Sequence, residues 1–384
     1  MNLLTRHRKL LQAIWRERAL SRRELHQRTG MRPNTLGSDA AGLIKAGILR
    51  ERQTTSRGGA GRGRPRVPLE IDPGRRHVVG AAVRPGHVEV GRLNLLGEMV
   101  GELHTQAVRD VSTLVTSLTE LLEQQVDSQT FAVGMTIPGF VDPAKHSILF
   151  SSALIGSNRG PVSLQPAYDV ARGMPIVLEN DMHALAARWL LTHQGQQQED
   201  VLLVYFEDGQ LGSALLIDGR PNHGCVTGAN ELGHTRMPVE TEVCYCGHPG
   251  CLERICSTDF LHRQDRDGNS TLAERASSFD GSDKALKRLM DLLAMGIANA
   301  ANFTRANRLV LVSELTRESQ FTDTLIASIR QHLLTELKER MRIEHWDQAA
   351  ARTAETAGWL ALANLYYEGW HQPSPRAATT SPTT

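Results

Sequence analysis

Apolar residues recur at helical spacing near the N-terminus, where Leu4, Leu10, Leu11, Ile14 and Trp15 predict a first amphipathic helix. Ser21, followed three residues later by Glu24, forms a capping box and predicts a second helix over 22–28, ending at Thr29-Gly30. Pro33 suits the first turn of a third helix. Its stripe of Leu36, Ala40, Leu43 and Ile44 carries it to about Ala46, before Gly47. Segments 48–52 and 67–71 read as a strand and its return partner.

Beyond Asp72-Pro73-Gly74, a hinge signal, the pattern changes. Strands are predicted over 77–83, 87–93 and 99–104, then a helix over 111–125 and an apolar strand over 131–137 that Pro138-Gly139 breaks. A strand over 175–178 leads into Asn180-Asp181 and a helix over 182–191, and 201–206 and 213–217 form a further strand pair. Long helices are predicted over 286–300, 321–339 and 349–366. Strand meanders alternating with helices indicate an α/β body of two lobes. The expected division is 1–72 as an N-terminal domain, 73–190 as a first lobe completed by the C-terminal helix 349–370, and 191–348 as a second lobe. Residues 371–384 are rich in Pro, Ser and Thr and are expected to be disordered.

Charge gives the N-terminal domain its character. The formal net charge is +1, yet residues 1–70 hold sixteen Lys/Arg against five Asp/Glu, and the remainder holds 27 against 37. A basic arm on an acidic body suggests a nucleic-acid partner, although a solvated basic face would give the same numbers. Helix, short turn, helix is the helix-turn-helix plan, whose second helix enters the major groove by its N-terminus. Arg32, Asn34, Thr35 and Ser38 are then the residues offered to a double-stranded DNA operator. Between the two predicted strands runs TTSRGGAGRGRPR, a basic loop that completes a winged helix-turn-helix. Within it Arg62-Gly63-Arg64-Pro65 is the R-G-R-P sequence of AT-hook peptides. Arg62 and Arg64 are thereby candidates for a narrow minor groove.

The cysteines are few and clustered. Of five, three fall within eight residues, and with a preceding histidine they read H-x9-C-x-C-x4-C: His234, Cys244, Cys246 and Cys251. One imidazole and three thiolates make a closed four-coordinate set, as a structural zinc site requires. Gly247 and Gly250 let the backbone fold the thiols about one point, and Glu231 and Glu253 flank the cluster. Cys225 and Cys256 remain, too few for a disulfide framework, so a reducing compartment is expected. No apolar run approaches the roughly 18 residues of a membrane span and no secretory leader is evident, so a cytoplasmic protein without membrane insertion is expected.

Five segments carry a resemblance over nearly the full length. VGMTIPGFVD (133–142), ENDMHALA (179–186), LIDGRPNHG (216–224), ANELGH (229–234) and CYCGHPGCLE (244–253) resemble the successive signatures of the ROK family of sugar kinases and sugar-responsive repressors. The resemblance implies an actin-like (hexokinase-like) two-lobed body with a sugar cleft between the lobes. It assigns the grip on a hexose to Asn180, Asp181, Glu231, His234 and Glu253, with His234 touching sugar through one nitrogen and zinc through the other. Read alone, Asn180-Asp181 serves equally as a helix N-cap.

Departures from the family pattern bear on mechanism. Its kinases carry a D-x-G-G-T phosphate loop at the first hairpin, where this chain has Ala81-Ala82-Val83-Arg84-Pro85-Gly86-His87. The later nucleotide loop is replaced by Ser313-Glu314-Leu315, whose glutamate repels phosphate. Asp181, a kinase's general base, is left without a phosphoryl donor, and no enzyme activity is expected. Asn230 stands where the family more often has glycine, and Ser151-Ser152-Ala153-Leu154 lacks the usual asparagine. The expectation is a zinc-containing repressor of sugar or amino-sugar uptake and metabolism genes, a homodimer or homotetramer with a sugar or sugar-phosphate effector. Two alternatives stay open: a sugar kinase fused to a DNA-binding module, and a protein-interaction platform that senses a PTS transporter domain, as the resemblance implies for Mlc-like members.

Overall fold

The computed structural model describes residues 3–52, 67–151, 154, 160–171, 173–193, 199–224, 230–239, 241–265, 268–346, 353–367 and 370. Arg62 and Arg64, Ser152-Ala153, Cys225 and the tail 371–384 lie outside the described residues.

The N-terminal elements follow the apolar pattern closely. Helix α1 (Thr5–Glu17) buries Leu10, Leu11, Ile14 and Trp15. After β1 (Ala19–Ser21), helix α2 (Arg22–Thr29) starts at the expected capping box: Ser21 N–H donates to the Glu24 carboxylate at 2.8 Å, and Glu24 N–H to Ser21 Oγ at 3.4 Å. It ends at Gly30 in the left-handed region. Helix α3 (Pro33–Lys45) follows, then β2 (Leu49–Glu51) and β3 (Pro68–Ile71), which form an antiparallel sheet in the order β1-β3-β2. The three-residue β1 has no sequence signal of its own; its pairing with β3 creates it.

Two larger sheets repeat one topology. The first comprises β4 (His77–Arg84), β5 (His87–Asn94), β6 (Met99–Ala107), then helix α4 (Val111–Gln125) and β7 (Thr130–Ile137). A small ladder of β8 (Phe140–Asp142), β9 (Ser147–Phe150) and β10 (Val162–Ser163) and helix α5 (Gln165–Val170) precede β11 (Ile176–Asn180) and helix α6 (Asp181–Thr192). The second sheet begins with β12 (Val201–Glu207), β13 (Gln210–Ile217) and β14 (Arg220–Pro221). Helices α7 (Leu252–Ile255), α8 (Thr258–Gln264), α9 (Leu272–Ser277) and α10 (Lys284–Thr304) lead to β15 (Arg308–Val312). Helices α11 (Ser319–His332) and α12 (Thr335–Arg340), strand β16 (Arg342–Trp346) and helix α13 (Ala354–Tyr366) complete the chain. The orders are β11-β7-β4-β5-β6 and β14-β13-β12-β15-β16. In each, a three-stranded antiparallel meander continues into two parallel strands.

Strand residues divide between cores with period two. Val78 packs with the inner core and Val79 with the outer one; Leu203 and Tyr205 face inward while Leu202, Val204 and Phe206 face the second lobe's outer helices. Burial on both faces explains why these strands read as continuous apolar runs. The inner core holds α6, α13 and the N-terminal domain together in one apolar cluster. Helix α13 lies so close to the first sheet that a Cβ on Gly80 or Gly134 would fall 1.9 Å from the Ala354 or Ala357 carbonyl oxygen.

The N-terminal domain is seated on this body. The Trp15 indole N–H donates to Leu191 O at 3.1 Å, and its ring stacks on Tyr366 with centroids 4.6 Å apart. Arg8 donates to Asn364 O at 3.0 Å. At the expected hinge, Arg76 donates to Ala46 O at 3.0 Å and to Ser128 O at 2.8 Å, tying the end of α3 to the turn before β7.

One predicted helix is divided. The periodicity of 321–339 runs through Leu333-Leu334, but the chain turns there into α11 and α12. The Asn302 amide on α10 explains it: it donates to His332 O at 3.1 Å and accepts from Leu334 N–H at 3.0 Å, satisfying the backbone that the break exposes. Among the described residues no helix is long and apolar enough to cross a membrane.

Candidate functional site

The quartet His234, Cys244, Cys246 and Cys251 converges as its spacing predicts. Its four ligand atoms all lie within 4.8 Å of one another. Cys244 Sγ is 3.7 Å from His234 Nδ1, and Cys246 Sγ is 3.5 Å from Cys251 Sγ. A tetrahedron with metal–nitrogen and metal–sulfur bonds of about 2.0–2.3 Å has edges of roughly 3.6–3.8 Å, so the donor set fits a metal ion. Gly247 (φ +89°) and Gly250 (φ +85°) supply the left-handed turns that bring the loop round. Backbone bonds from Met237 N–H to Gly250 O and from Cys244 N–H to His248 O close it. Burial and the neighbouring thiols push the Cys244 and Cys251 thiols up, so without a cation these two favour the protonated form.

Beside the cluster a cleft of about 440 Å³ opens between the lobes, lined by all five residues assigned to a sugar: Asn180, Asp181, Glu231, His234 and Glu253. Asn180 ends β11 and caps α6, its Oδ1 accepting Met182 N–H at 2.8 Å while its Nδ2 donates to Gly139 O at 3.0 Å. The N-cap role and a place in the cleft thus coexist in one residue. Asp181 opens α6 and is buried at the cleft wall. His234 turns Nδ1 toward the thiols, while Nε2 lies 4.0 Å from Glu231.

Glu253 is held from two sides. Its Oε1 accepts Leu211 N–H at 3.1 Å, and its Oε2 accepts the Tyr245 hydroxyl. Tyr245 stands between two candidate metal ligands and faces the His234 ring edge-on at 5.4 Å, so the thiol loop positions a cleft carboxylate directly. Sequence reasoning missed Tyr245, because the signal is spatial: its only local mark is an aromatic residue inside C-x-C.

Asn230 holds a left-handed φ of +75°, a conformation that glycine adopts freely and asparagine tolerates better than most residues. Its departure from glycine therefore preserves the turn. Ser213 Oγ donates to Asn230 O at 2.6 Å, and Asn230 Nδ2 donates to Asn222 O at 3.1 Å, which fixes the approach of Glu231.

The first hairpin, where a phosphate loop is missing, contributes Arg84 and His87 to the same cleft. Both contact Glu89 Oε1, at 3.7 and 3.0 Å. A further departure lies in the β12–β13 hairpin. Glu207 Oε1 accepts the Ser313 hydroxyl at 3.2 Å and Glu314 N–H at 2.6 Å, and Asp208 accepts Thr258 N–H at 2.7 Å. Burial holds the Glu207 carboxyl above the usual range, while the Glu314 and Ser313 donors pull it back. Backbone and hydroxyl donors at the start of the turn after β15 are thus spent on an internal carboxylate. Two acidic residues at a tight turn were the available sequence signal.

On the exposed side of the N-terminal domain, Arg32, Asn34, Thr35 and Ser38 all face solvent, while Leu36, Ala40 and Leu43 of the same helix are buried.

Comparison with known proteins agrees with this geometry. A family model described as the ROK family matches residues 89–365. The chain is 25% identical over 259 residues to the xylose repressor of Caldicellulosiruptor bescii, covering 65% of this chain and 62% of that one, less than two thirds of the repressor's length. It is 23% identical over 376 residues to the DNA-binding transcriptional repressor Mlc of Escherichia coli, covering 91% and 90%. It is also 24% identical over 287 residues to a glucokinase of Halalkalibacterium halodurans, covering 67% and 85%. A crystal structure of a ROK family transcriptional regulator, a homolog of the E. coli MLC protein, superposes with a TM-score of 0.76 at 18% identity, covering 95% of this chain and 96% of that one.

Proposed function

Because the chain belongs to the ROK family, we propose that it is a DNA-binding transcriptional repressor of sugar or amino-sugar genes, controlled by a sugar in the interlobe cleft. The observation that carries this reading is the solvent face of α3: Arg32, Asn34, Thr35 and Ser38 stand free over a buried stripe, on a basic domain seated upon the body. A recognition helix presents its polar N-terminal turns to a groove in this way. Arg62 and Arg64 extend the contact into the minor groove. A two-fold operator calls for a homodimer or a dimer of dimers.

In this reading zinc is structural. His234, Cys244, Cys246 and Cys251 would hold it, and its contribution is to fix the loop that presents His234, Tyr245 and Glu253. Hydroxyls of the hexose would be met by Asn180, Asp181, Glu231, His234 and Glu253, a set rich in acceptors.

A kinase reading draws on the glucokinase similarity. Against it stand Arg84-Pro85-Gly86-His87 at the first hairpin and the Glu207 carboxylate at the turn after β15. The first lacks the Asp, Gly-Gly and Thr of a phosphate loop, and the second puts a carboxylate where a triphosphate needs backbone donors.

The test uses a duplex that the wild-type protein selects from a random library. Wild type binds it in a salt-dependent manner, and an effector hexose weakens that binding. Glu231→Gln keeps operator affinity within about threefold and loses the sugar response. Loss of both together, or ATP turnover with any hexose, would overturn the reading. Calorimetry with hexoses, amino sugars and their 6-phosphates separates the remaining alternative: no heat from any of them transfers the signal to a protein partner such as a PTS transporter domain.

A further inference from the structure

Behind the cleft, three ionisable side chains from both lobes meet in the interior. Glu179 on β11 is fully buried, and its Oε2 lies 2.9 Å from Nδ1 of His183 on α6, itself 1% exposed. Its Oε1 lies 3.2 Å from Nδ1 of His223, which follows β14 in the second lobe. The two imidazoles meet edge to face with centroids 4.8 Å apart. His223 Nε2 is 3.4 Å from the carbonyl oxygen of Trp370, near the end of the described chain.

Where the protons sit follows from the acceptors. His183 Nε2 is buried with no hydrogen-bond partner among the described residues, so the ring's single proton belongs on Nδ1, donated to Glu179. His223 Nε2 faces the Trp370 carbonyl, and Nδ1 stands at ion-pair distance from the Glu179 carboxylate without hydrogen-bond alignment. A neutral imidazole can serve the carbonyl alone; the imidazolium serves the carbonyl and also gains the charge attraction of the buried Glu179, which it neutralises. Two imidazoles and a carboxylate also form a donor set that a cation can use. A metal on His183 Nδ1, however, would move that ring's proton to Nε2, where nothing among the described residues accepts it. The arrangement therefore favours a proton over a metal.

We propose that Glu179, His183 and His223 form a proton-binding latch between the lobes, in which protonated His223 ties the residues directly after β14 to β11 of the first lobe and to Trp370. Deprotonation removes that tie. Among the described residues the ionisable groups facing His223 are Glu179 from β11 and His183 from α6, and the C-terminal segment contributes the neutral Trp370 carbonyl. Burial opposes the charge on His223, but the Glu179 carboxylate and the Trp370 carbonyl outweigh it and raise its pKa above the ordinary imidazole value. The latch adjoins the cleft on both sides. Glu179 directly precedes Asn180, and Asn222, beside His223, accepts from the Asn230 amide next to Glu231.

The folded pKa lies above the unfolded value of about 6.5. The latch's contribution is therefore complete below about pH 6.5 and is lost as pH rises through the folded value. The readouts need neither DNA nor sugar, so they stand or fall apart from the repressor reading. In the full-length protein with ring-13C histidine, one resonance titrates above pH 6.5, disappears in His223→Gln, and moves down by at least one pH unit in Glu179→Gln. The Tm advantage of wild type over His223→Gln is largest near pH 6 and shrinks toward pH 9. Should His223→Gln fail to fold, the Glu179→Gln displacement alone decides the assignment. A His223 resonance titrating at or below 6.5, or a Tm difference independent of pH, overturns the latch. Elemental analysis gives the last arm: equal metal content in wild type and His183→Ala supports the proton, whereas one metal fewer per chain in His183→Ala assigns the trio to a cation and overturns the proposal.

Discussion

Tyr245 ties two chemistries together at the scale of a single residue. It lies between Cys244 and Cys246, and its hydroxyl donates to a Glu253 carboxylate in the cleft. Tyr245→Phe should leave metal content unchanged, since no ligand is touched. It removes one hydrogen bond to a charged acceptor, worth about 1.5–3 kcal/mol, so the affinity for the effector sugar should fall by roughly 10- to 100-fold in calorimetry. Loss of metal with the substitution would show instead that Tyr245 serves only the fold of the loop. At this scale the metal quartet was legible because its ligands fall within eighteen residues and their chemistry is unusual. Tyr245, Glu207 and the Glu179–His183–His223 trio were not. Glu207 meets Ser313 and Glu314 across more than a hundred residues, and His223 reaches Glu179 from the other lobe. Asn230 shows the converse: a departure from glycine that looked functional is explained by a backbone angle that only the fold reveals.

Among the elements, α6 and α13 do the most to place the site. Helix α6 starts in the cleft with Asn180 as its N-cap and ends where Leu191 O receives the Trp15 indole; twelve helical residues span about 18 Å. Helix α13 presses on the first sheet through Gly80 and Gly134. Gly134→Ala puts a methyl group 1.9 Å from the Ala357 carbonyl oxygen, and backbone cannot yield cheaply. The expected cost is about 3 kcal/mol or more, seen as a fall in Tm of several degrees with the metal ligands intact. A variant as stable as wild type would mean that α13 can move away from the sheet without penalty. Long periodic elements were legible throughout, and strands buried on both faces announced themselves as apolar runs. The short β1 and the edge strand β16, Arg-Ile-Glu-His-Trp, carry no such mark and depend on their partners. The break between α11 and α12 is imposed from outside by Asn302, against an uninterrupted helical period.

For the whole molecule, the seating of the N-terminal domain changes how control by ligand would work. The sequence suggested a basic N-terminal domain joined to the body by a hinge at 72–74. Instead Trp15 is packed on Tyr366 and bonded to the end of α6, and Arg76 clasps both sides of the junction. A shift of α6 at its cleft end must then either carry α1 with it or break a buried hydrogen bond. Coupling through one rigid helix predicts a particular separation of effects. Trp15→Phe keeps an aromatic ring against Tyr366 but removes the indole N–H and part of the buried ring, leaving Leu191 O without that donor at a cost of about 1–3 kcal/mol in unfolding, before the lost packing is added. Operator affinity without sugar should stay within about threefold of wild type, because α3 and its exposed face are untouched. The weakening of operator binding by the effector sugar, typically 5- to 150-fold for a coupling of 1–3 kcal/mol, should shrink toward unity while calorimetry still records the sugar bound. Glu231→Gln loses the response by failing to hold sugar; Trp15→Phe loses it while holding sugar. A Trp15→Phe protein that responds as wild type does would place the coupling elsewhere, with the Arg8–Asn364 bond and the Arg76 clasp as further bridges between the domain and the body.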